Sequence, residues 1–387
     1  MSLDWSDLLA DALILVTLGG AAYMLLATWE VRRFVRQPYA RFAARPAVTI
    51  LKPLCGDEPG LYENLRSFCE QGRRGDLQVV FGVREASDPA IPTVRRLIRE
   101  FPDCDLTLVV DSRVRGTNFK VGNLQNMLAA ARHDVLVISD SDIRVGPGYL
   151  DAVVGPLQDP AVGLVTCLYV GRPEDNVWSR LGAMFVNHGF LPSVLVAERV
   201  GVRVGCFGAT MALTRETLDS VGGLASFANL LADDYALGVA VRRTGKRVVL
   251  SPSTVDMVVV EPGPRALVNH ELRWLRTVRA VEPLGYVGLV ITYPLVLVVL
   301  ALPLAGWSWV AWGALVLTLI GRLLLAGQVD RAFSLARSAP WWVVVRDLLS
   351  FGLFMASFLG REVAWRRHRF TLRPDGALAH DGEARRR

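Results

Sequence analysis

The chain has 387 residues, which is enough for one large domain or two of ordinary size. Hydrophobic residues make up 52% of it and the mean hydropathy is +0.33, which excludes a typical soluble protein and indicates membrane segments. The net charge is +6, but no stripe of basic and base-stacking aromatic residues occurs, so we expect no nucleic-acid partner. The five cysteines are scattered without a C-x-x-C pair, which argues against a disulfide framework and against a zinc site.

The first apolar stretch, residues 8–29, has about the length of one membrane span. Three arginines follow it, at Arg32, Arg33 and Arg36. By the positive-inside tendency they place the N-terminus outside the membrane and the residues that follow in the cytoplasm. Residues 1–45 are therefore predicted to form a transmembrane anchor and a basic linker.

Residues 46–264 alternate between apolar strands and amphipathic helices, which predicts βαβ units and an α/β fold with a mostly parallel, Rossmann-like sheet. Lys52-Pro53 is predicted to break the first strand. The predicted strands are 48–51, 77–83, 106–110, 135–139 and 162–169. Neither a G-x-G-x-x-G motif after the first strand nor a G-x-x-x-x-G-K-[ST] loop occurs, so a dinucleotide-dependent dehydrogenase and a P-loop nucleotidase are disfavoured.

Two acids, Asp140 and Asp142, end the fourth predicted strand. Side chains two residues apart on a strand point the same way, and ligands of open α/β sheets collect beyond the carboxyl ends of strands. Two carboxylates there can hold a divalent cation, Mg²⁺ or Mn²⁺, which bridges phosphate oxygens. The alternative is a strand end with solvated acids, which is the more common meaning of an isolated D-x-D.

Three further segments carry alternatives. Asp233 and Asp234 begin a helix, where acids ordinarily serve capping and dipole interactions. Residues 205–210 are small, which suits either close approach of a ligand or a tightly packed strand. Residues 177–200 are too polar to span and too apolar for an exposed helix, so we expect helical structure at the membrane surface.

Residues 265–283 are predicted to form an interfacial helix with Arg273, Arg276 and Arg279 on one flank. This flank either reaches lipid headgroups or clamps a pyrophosphate beside Trp274. Residues 284–365 contain apolar stretches at 287–305, 308–326 and 341–360, and residues 366–387 form a polar, basic tail. Because the tail is cationic, the stretch interrupted by Arg346-Asp347 is expected to be re-entrant or interfacial.

With these segments in order, the chain resembles the membrane-bound glycosyltransferases of families 2 and 21, which have a GT-A fold. Lys120 to Leu124 is similar to the K-A-G-N-L segment that such enzymes place against the nucleotide diphosphate. His270 stands where the family usually has Gln or Arg. The matching family motifs are Asp88, the pair Asp140 and Asp142, Asp234, and the segment from His270 to Trp274.

Two lipid-acceptor branches share the resemblance. Residues 51–54, 88–90, 140–145 and 233–235 resemble ceramide glucosyltransferase. Residues 62–71, 164–169 and 270–274 resemble the bacterial hopanoid-biosynthesis glycosyltransferase, and His270 fits this second branch, which is therefore the main hypothesis. It implies transfer of N-acetylglucosamine from its UDP conjugate to bacteriohopanetetrol.

The resemblance also implies roles for individual residues. Asp234 would be the catalytic base of an inverting transfer, and Asp140 and Asp142 would hold the metal. Residues expected to bind the nucleotide or the substrate are Pro53, Glu85, Asp88, Lys120, Asn123, Asp140, Arg273 and Trp274. Residues expected on the acceptor side are His188, Asp233 and His270. The partners would be a UDP-sugar, a membrane lipid acceptor and the bilayer. The expected location is the bacterial inner membrane, with several spans and the catalytic domain facing the cytoplasm; the sequence predicts no oligomeric state.

Two other hypotheses stay open at the level of sequence. A processive polysaccharide synthase would need a transmembrane channel, and hence more spans than the few that this chain offers. A membrane-anchored scaffold without catalytic activity would carry the same acids with no chemical role.

Overall fold

The fold was described from a computed structural model, which covers residues 5–38, 46–72, 76–202, 205–365, 368–373 and 377–380. Most of the predicted basic linker, residues 39–45, lies outside the described residues, as do 366–367, 374–376 and 381–387 of the predicted tail. The chain divides into two compact units. The sheet unit comprises residues 38–174, 205–260 and 370–387, and the helical unit comprises residues 1–37, 175–204 and 261–369.

The described elements are numbered here along the whole chain. The helices are α1 (Trp5–Phe34), α2 (Leu61–Cys69), α3 (Ala90–Glu100), α4 (Phe119–Leu128), α5 (Tyr149–Val154), α6 (Val177–Phe185), α7 (Leu191–Arg199), α8 (Arg215–Ser220), α9 (Asp233–Arg243), α10 (Pro264–Val281), α11 (Pro283–Gly288), α12 (Pro294–Leu304), α13 (Trp309–Ala332) and α14 (Pro340–Ser357). The strands are β1 (Val48–Pro53), β2 (Leu77–Val83), β3 (Asp105–Val110), β4 (Val135–Ile138), β5 (Ile143–Arg144), β6 (Val162–Pro173), β7 (Met211–Thr214), β8 (Arg247–Val259), β9 (Glu362–Trp365), β10 (His368–Leu372) and β11 (Leu378–His380).

The sheet unit is built on eight strands in the order β3-β2-β1-β4-β7-β6-β8-β5. Strands β1, β2, β3 and β4 are parallel neighbours, and β6 pairs in parallel with β8. Antiparallel pairing joins β7 to β4 and β6, and β5 to β8. The predicted α/β fold with a mostly parallel sheet is therefore confirmed. Because β1, β2 and β4 run in the same direction, the loops after their carboxyl ends lie along one edge of the sheet.

The prediction that Lys52-Pro53 breaks the first strand is wrong. Strand β1 continues to Pro53, whose register partner on β2 is Gly82, and the N–H of Leu54 then donates to the Gly82 carbonyl at 2.8 Å. A proline is tolerated at the last residue of a strand because its missing N–H removes no bond from the middle of the ladder. The continuation matters because it carries the side chain of Lys52 into the interior, where it is fully buried.

Apolar side chains from the sheet and its covering helices form the core that supports the strand ends. Leu51, Val80 and Leu136 come from three adjacent strands, and Leu124 of α4 and Leu237 of α9 pack into the same cluster. All five are at most 2% exposed. Burial of each such side chain contributes about 1.5–3 kcal/mol, so the first turns of α4 and α9 are fixed against the sheet.

In the helical unit, three segments of the described chain are long and apolar enough to cross a membrane: Trp5–Phe34, Val177–Arg199 and Trp309–Ala332. The first and third extend the spans predicted at 8–29 and 308–326. The second consists of α6 and α7 joined by one π-helical turn at Val186–Phe190, and 67% of its most apolar 18 residues are buried inside the protein. The prediction that residues 177–200 are too polar to span is therefore wrong by length and composition, because the few polar residues do not offset the apolar ones. Their placement at the membrane surface stays a prediction. The first and third put apolar helices towards both ends of the chain, as predicted.

The predicted span at 287–305 is two helical segments, Pro283–Thr292 and Pro294–Leu304, which are bent by 68° and make a fourth candidate span only if taken together. The bend has a physical cause in Pro294, the first residue of α12, because its ring and missing N–H cannot continue a preceding helix.

Helix α14 contains the Arg346-Asp347 interruption predicted to prevent an ordinary span. Both side chains are buried, Arg346 against Glu271 of α10 and Asp347 against Arg322 of α13. Helix α14 has 18 residues but is not among the candidate spans of the described residues. Its re-entrant or interfacial placement stays a prediction.

Candidate active site

The D-x-D turn lies directly after β4. The N–H of Val258 on β8 donates to the Asp142 carbonyl at 2.9 Å, and the following residue, Ile143, pairs with Met257. Strand β4 thus leads into the turn, and pairing with β8 holds the residues that leave it. Burial raises the pKa of Asp142 to about 7, and repulsion from the nearby carboxylates of Asp140 and Glu58 adds to the rise.

Lys120, in the first turn of α4, points at this turn. Its Nζ lies 2.6 Å from Asp140 Oδ1 and 3.8 Å from Asp233 Oδ2. Burial disfavours the charge of Lys120, but attraction to nearby carboxylates outweighs that cost and raises its pKa. The carboxylates belong to Asp140, Asp233 and Asp234. The lysine therefore joins two acidic segments that lie more than ninety residues apart in the chain.

Asn118, the N-cap of α4, fixes the position of that lysine. Its Oδ1 accepts from the N–H of Val121 at 3.1 Å, and its Nδ2 donates to the Leu230 carbonyl at 2.7 Å and to Asp233 Oδ1 at 3.2 Å. The residue is fully buried. Sequence reasoning missed Asn118, although an Asn before a helical pattern is a recognisable capping signal.

Asp233 and Asp234 begin α9, as predicted, but the N-cap residue is Ala232 and neither aspartate occupies the capping position. Asp234 Oδ2 accepts from the N–H of Gly208 at 2.8 Å, and its Oδ1 accepts from the N–H of Tyr235 at 2.8 Å. Burial, followed by repulsion from Asp233, raises the pKa of Asp234 above that of an ordinary aspartate. Its carboxylate is thus held in one orientation and is more basic than a solvated one.

Gly208 lies where these side chains meet. A Cβ at this position would be 3.0 Å from Asp140 Oδ2, 3.0 Å from Lys120 Nζ and 3.4 Å from Asp234 Oδ2. The crowding at Gly208 comes from side chains of the protein itself, so close approach of a ligand to residues 205–210 stays a prediction.

Replacing Gly208 with alanine is expected to reduce activity at least about tenfold, because a shift of the surrounding groups by a few tenths of an ångström misplaces charged atoms at a site that needs fixed geometry. Steady-state kinetics of the Gly208→Ala variant measure the effect. Gly146→Ala is the matched control, since nothing lies within 4 Å of a Cβ there. Equal activity of the two variants would contradict the crowding argument.

Lys52 contributes a second cation that was not predicted. Its Nζ donates to the Asp140 carbonyl and lies 3.4 Å from Ser139 Oγ and 3.9 Å from the centre of the Phe68 ring. Burial lowers the pKa of Lys52 to about 7, against the attraction of Asp142 and other nearby acids.

The residues of the D-x-D turn fit a divalent cation. Asp142 Oδ1 is buried and has no hydrogen-bond partner within the described part of the chain, which leaves an oxygen ligand ready for a metal. No group of three His, Cys, Asp or Glu side chains comes together as a metal site among the described residues. A cation at this turn would therefore need oxygen ligands from a bound phosphate or from water as well.

The other predicted donor-side residues lie around the strand ends of the same unit. Asp88 Oδ1 accepts from the N–H groups of Gly56 at 3.0 Å and Ala90 at 2.9 Å, so it organises the loops after β1 and β2. Glu85 is exposed and Pro53 is buried at the end of β1. Asn123 is buried and donates to the Gly82 carbonyl at 2.8 Å. Their contact with a nucleotide stays a prediction.

Four predicted residues belong to the helical unit. His188 is buried with Nε2 2.7 Å from Asp330 Oδ1, and His270 Nδ1 is 2.6 Å from Glu261 Oε1. The ring of Trp274 packs against the His270 ring, with centres 4.5 Å apart. The fourth residue, Arg273, lies in α10 beside Trp274. The roles predicted for all four stay predictions.

Comparison with known families decides the relationship. The family model described as glycosyl transferase family 21 matches residues 12–378, which is nearly the whole chain. The chain belongs to glycosyl transferase family 21. The predicted resemblance to families 2 and 21 is thus confirmed for family 21.

Relatives within the family include ceramide glucosyltransferases. Ceramide glucosyltransferase 1 of Caenorhabditis elegans is 26% identical over 239 residues, covering 62% of this chain and 51% of the relative. The ceramide glucosyltransferase of Candida albicans is 33% identical over 107 residues, 25% of this chain and 20% of the relative. The chain thus spans at most about half the length of these two curated relatives. Of the two predicted branches, these matches favour ceramide glucosyltransferase.

The fold has a solved counterpart. The mannosyltransferase PcManGT from Pyrobaculum calidifontis, in complex with GDP-Man and Mn²⁺, has a TM-score of 0.56 and 24% identity, covering 92% of this chain and 98% of that one. This likeness concerns the fold, and it confirms the prediction of a GT-A-like α/β fold.

Proposed function

We propose that this family 21 protein transfers a sugar from a UDP-sugar to a hydroxyl group of a membrane lipid, with inversion at the sugar. The observation that carries the proposal is the convergence of an ammonium group and acids around one glycine backbone. The residues are Lys120, Asp140, Asp233, Asp234 and Gly208. A solvated strand end or a scaffold has no need of such a set, whereas single-displacement transfer needs both a base and stabilisation of a diphosphate.

The favoured acceptor is a ceramide-type lipid, and the sugar is then glucose. Support comes from the relatives among ceramide glucosyltransferases and from residues 51–54, 88–90 and 140–145. The hopanoid acceptor with N-acetylglucosamine becomes the second candidate, supported by the resemblance of residues 62–71 and by His270. A polysaccharide synthase is less favoured because the described chain offers only three or four candidate spans.

On the donor side, Asp142 Oδ1 and Asp140 would hold Mg²⁺ or Mn²⁺ on the diphosphate, with Lys120 beside Asp140. The bound cation would supply neutralisation of the charge that grows on the departing UDP. Lys120 would donate to a phosphate oxygen in the same step, and Arg273 is the proposed second donor. Asp88 and Glu85 would contact the uridine, and Pro53, Asn123 and Trp274 would line the donor and acceptor positions.

On the acceptor side, Asp234 would take the proton of the lipid hydroxyl while the oxygen of that hydroxyl attacks the anomeric carbon. The bond from that carbon to the diphosphate oxygen breaks, and UDP leaves with the electron pair. The N–H groups of Gly208 and Tyr235 keep the Asp234 carboxylate aimed during the transfer. His188, Asp233 and His270 are the proposed acceptor-side residues.

A lipid acceptor also accounts for the apolar helices, which would hold the protein at the bilayer. Each methylene group drawn from the bilayer into water costs about 0.8 kcal/mol, so the lipid hydroxyl should be met at headgroup level. We propose a multi-pass protein of the bacterial inner membrane with the sheet unit on the cytoplasmic side, supported by the arginines that follow α1.

The test is a transfer assay with purified protein, UDP-glucose and UDP-N-acetylglucosamine as donors, and ceramide, bacteriohopanetetrol and diacylglycerol as acceptors, read by mass spectrometry. Glucosylceramide is the expected product, and its formation should stop when EDTA removes the metal. Product from the hopanoid would move the assignment to the second candidate. The absence of any glycolipid or released UDP would contradict the enzyme.

The Asp142→Asn variant is expected to lose the enhancement of UDP binding by Mn²⁺, by at least about tenfold, since loss of a charged ligand costs no less than loss of a group that orients one. Isothermal titration with UDP, with Mn²⁺ and with EDTA, measures it. Asp159→Asn is the control, because Asp159 pairs with Arg247 at an exposed position. Retention of the full enhancement in Asp142→Asn would rule out Asp142 as a ligand.

A further inference from the structure

The chain contains only three lysines, and two of them lie at the D-x-D turn. Only Lys52, Lys120 and Lys246 occur among its 43 basic residues, and the others are arginines. Two of the three contact the same acidic turn. Lysine differs from arginine in its compact charge and lack of a planar fork, so it fits where one nitrogen must reach a confined acceptor.

Lys52 approaches the turn from the side of β1. Strand β1 pairs in parallel with β4, with Leu51 opposite Ile138, so the next residue of β1 lies beside the first residues after β4. From there the Lys52 ammonium donates to the Asp140 carbonyl, with Ser139 Oγ at 3.4 Å. The lysine therefore holds the backbone of the turn, whereas Lys120 holds its carboxylate.

The surroundings of Lys52 suit a permanent role. The side chain is 0% exposed and lies over the Phe68 ring, which favours a cation through its quadrupole. Glu58 lies near the same turn and accepts from the Ser141 hydroxyl at 2.6 Å. A buried ammonium group is tolerated only where hydrogen bonds and opposite charge offset the lost hydration. The turn supplies hydrogen-bond acceptors to Lys52, and the carboxylates of Asp142 and Asp140 supply nearby negative charge.

We propose that Lys52 is a positioning residue for the metal-bound donor. It fixes the backbone between β4 and β5 so that Asp140 and Asp142 present their oxygens in one direction before the donor arrives. The inference rests on the proposed function, because it assigns Lys52 to the donor side of that site. A positioning role differs from a general packing role in what the loss of Lys52 changes. Only the part of UDP affinity that depends on metal should fall.

The test compares UDP dissociation constants with Mn²⁺ and with EDTA in four proteins: wild type, Lys52→Met, Lys52→Arg and Lys246→Met. Methionine keeps an unbranched chain of similar length without charge or donor. Lys52→Met is expected to lose about tenfold of the Mn²⁺ enhancement, the size typical of a group that orients a metal ligand. Its affinity in EDTA should stay near that of the wild type. Lys52→Arg, which keeps a cation and N–H donors, should bind Mn²⁺ and UDP more tightly than Lys52→Met.

Lys246→Met is the matched control, because it makes the same substitution at a lysine whose Nζ contacts Thr217 Oγ1 at 3.1 Å. It should behave as the wild type. A second variant, Phe68→Leu, leaves the lysine in place and removes the ring beneath it, so it carries the test if Lys52→Met does not fold. It should lose part of the same enhancement.

The proposal would be overturned if Lys52→Met kept the full enhancement of UDP binding by Mn²⁺. If Lys52→Met does not fold, the same result in Phe68→Leu would overturn it. So would an equal loss with and without metal. Absence of any enhancement in the wild type would overturn the metal-bound donor of the proposed function as well, which separates the two failures.

Discussion

Replacing Asp234 with asparagine is expected to slow sugar transfer by about 10²- to 10⁴-fold, the contribution of a positioned general base. Asparagine keeps the size of the side chain and can still accept from the Gly208 N–H, but it cannot take the acceptor proton. UDP affinity in the presence of Mn²⁺ should stay within about twofold, since the donor contacts are assigned to other residues. Single-turnover transfer rates and UDP titration measure the two quantities.

Asp159→Asn serves as the control for Asp234→Asn as well, because it makes the same chemical change at an exposed ion pair. It should transfer sugar at the wild-type rate. A turnover of Asp234→Asn near that of the control would show that another group accepts the proton. A joint loss of transfer and UDP binding would show instead that Asp234 supports the donor site.

Replacing Arg346 with leucine is expected to destabilise the helical unit by about 3–5 kcal/mol, the cost of leaving one member of a buried ion pair uncompensated. Arg346 and Glu271 are almost fully buried and form two parallel hydrogen bonds of 2.8 and 2.7 Å. The variant should unfold at a clearly lower temperature in detergent, followed by circular dichroism.

The double variant Glu271→Gln with Arg346→Met should recover much of this loss, because it removes both charges of the pair and leaves neither of them unpaired. Arg66→Leu is the matched control, since Arg66 and Glu70 form an exposed pair 2.8 Å apart that contributes at most about 1 kcal/mol. A melting temperature of Arg346→Leu equal to that of Arg66→Leu would contradict a structural role for the buried pair.

Local patterns in the sequence were sufficient for the parallel half of the sheet. The predicted bounds of β2, residues 77–83, agree with the structure, because a continuous apolar run is set by neighbours in the chain. Strands β5 and β7 were not predicted. They have two and four residues, and β8 and β4 define them through pairing rather than through a pattern of their own.

In the candidate site too, residues in local sequence patterns were predicted and residues defined by distant contacts were missed. Asp140, Asp142 and Asp234 were identified because paired acids at a strand end and a helix start are visible in sequence. Lys52 was missed because the proline after it suggested a break, and its role depends on a register contact with the residues after β4. Gly208 stood among several small residues, and only the distances around it single it out.

The helical unit contains buried ion pairs that could not be predicted from the sequence. Arg346 and Asp347 were recognised as an interruption of an apolar stretch, but their partners lie 75 and 25 residues away. Neither spacing follows a helical or strand period, so the pairing that makes both charges tolerable was not predictable from the sequence. The same holds for His188 and Asp330, which are 142 residues apart.

Anomalous scattering of Mn²⁺ in crystals of the protein with UDP tests the metal-bound donor directly. One manganese peak is expected within about 2.0–2.6 Å of carboxylate oxygens of Asp142 or Asp140, the distance range of oxygen ligands to hard divalent cations, with the UDP diphosphate on the same ion. Manganese bound away from both aspartates, or UDP held with no manganese at this turn, would contradict the metal-bound donor.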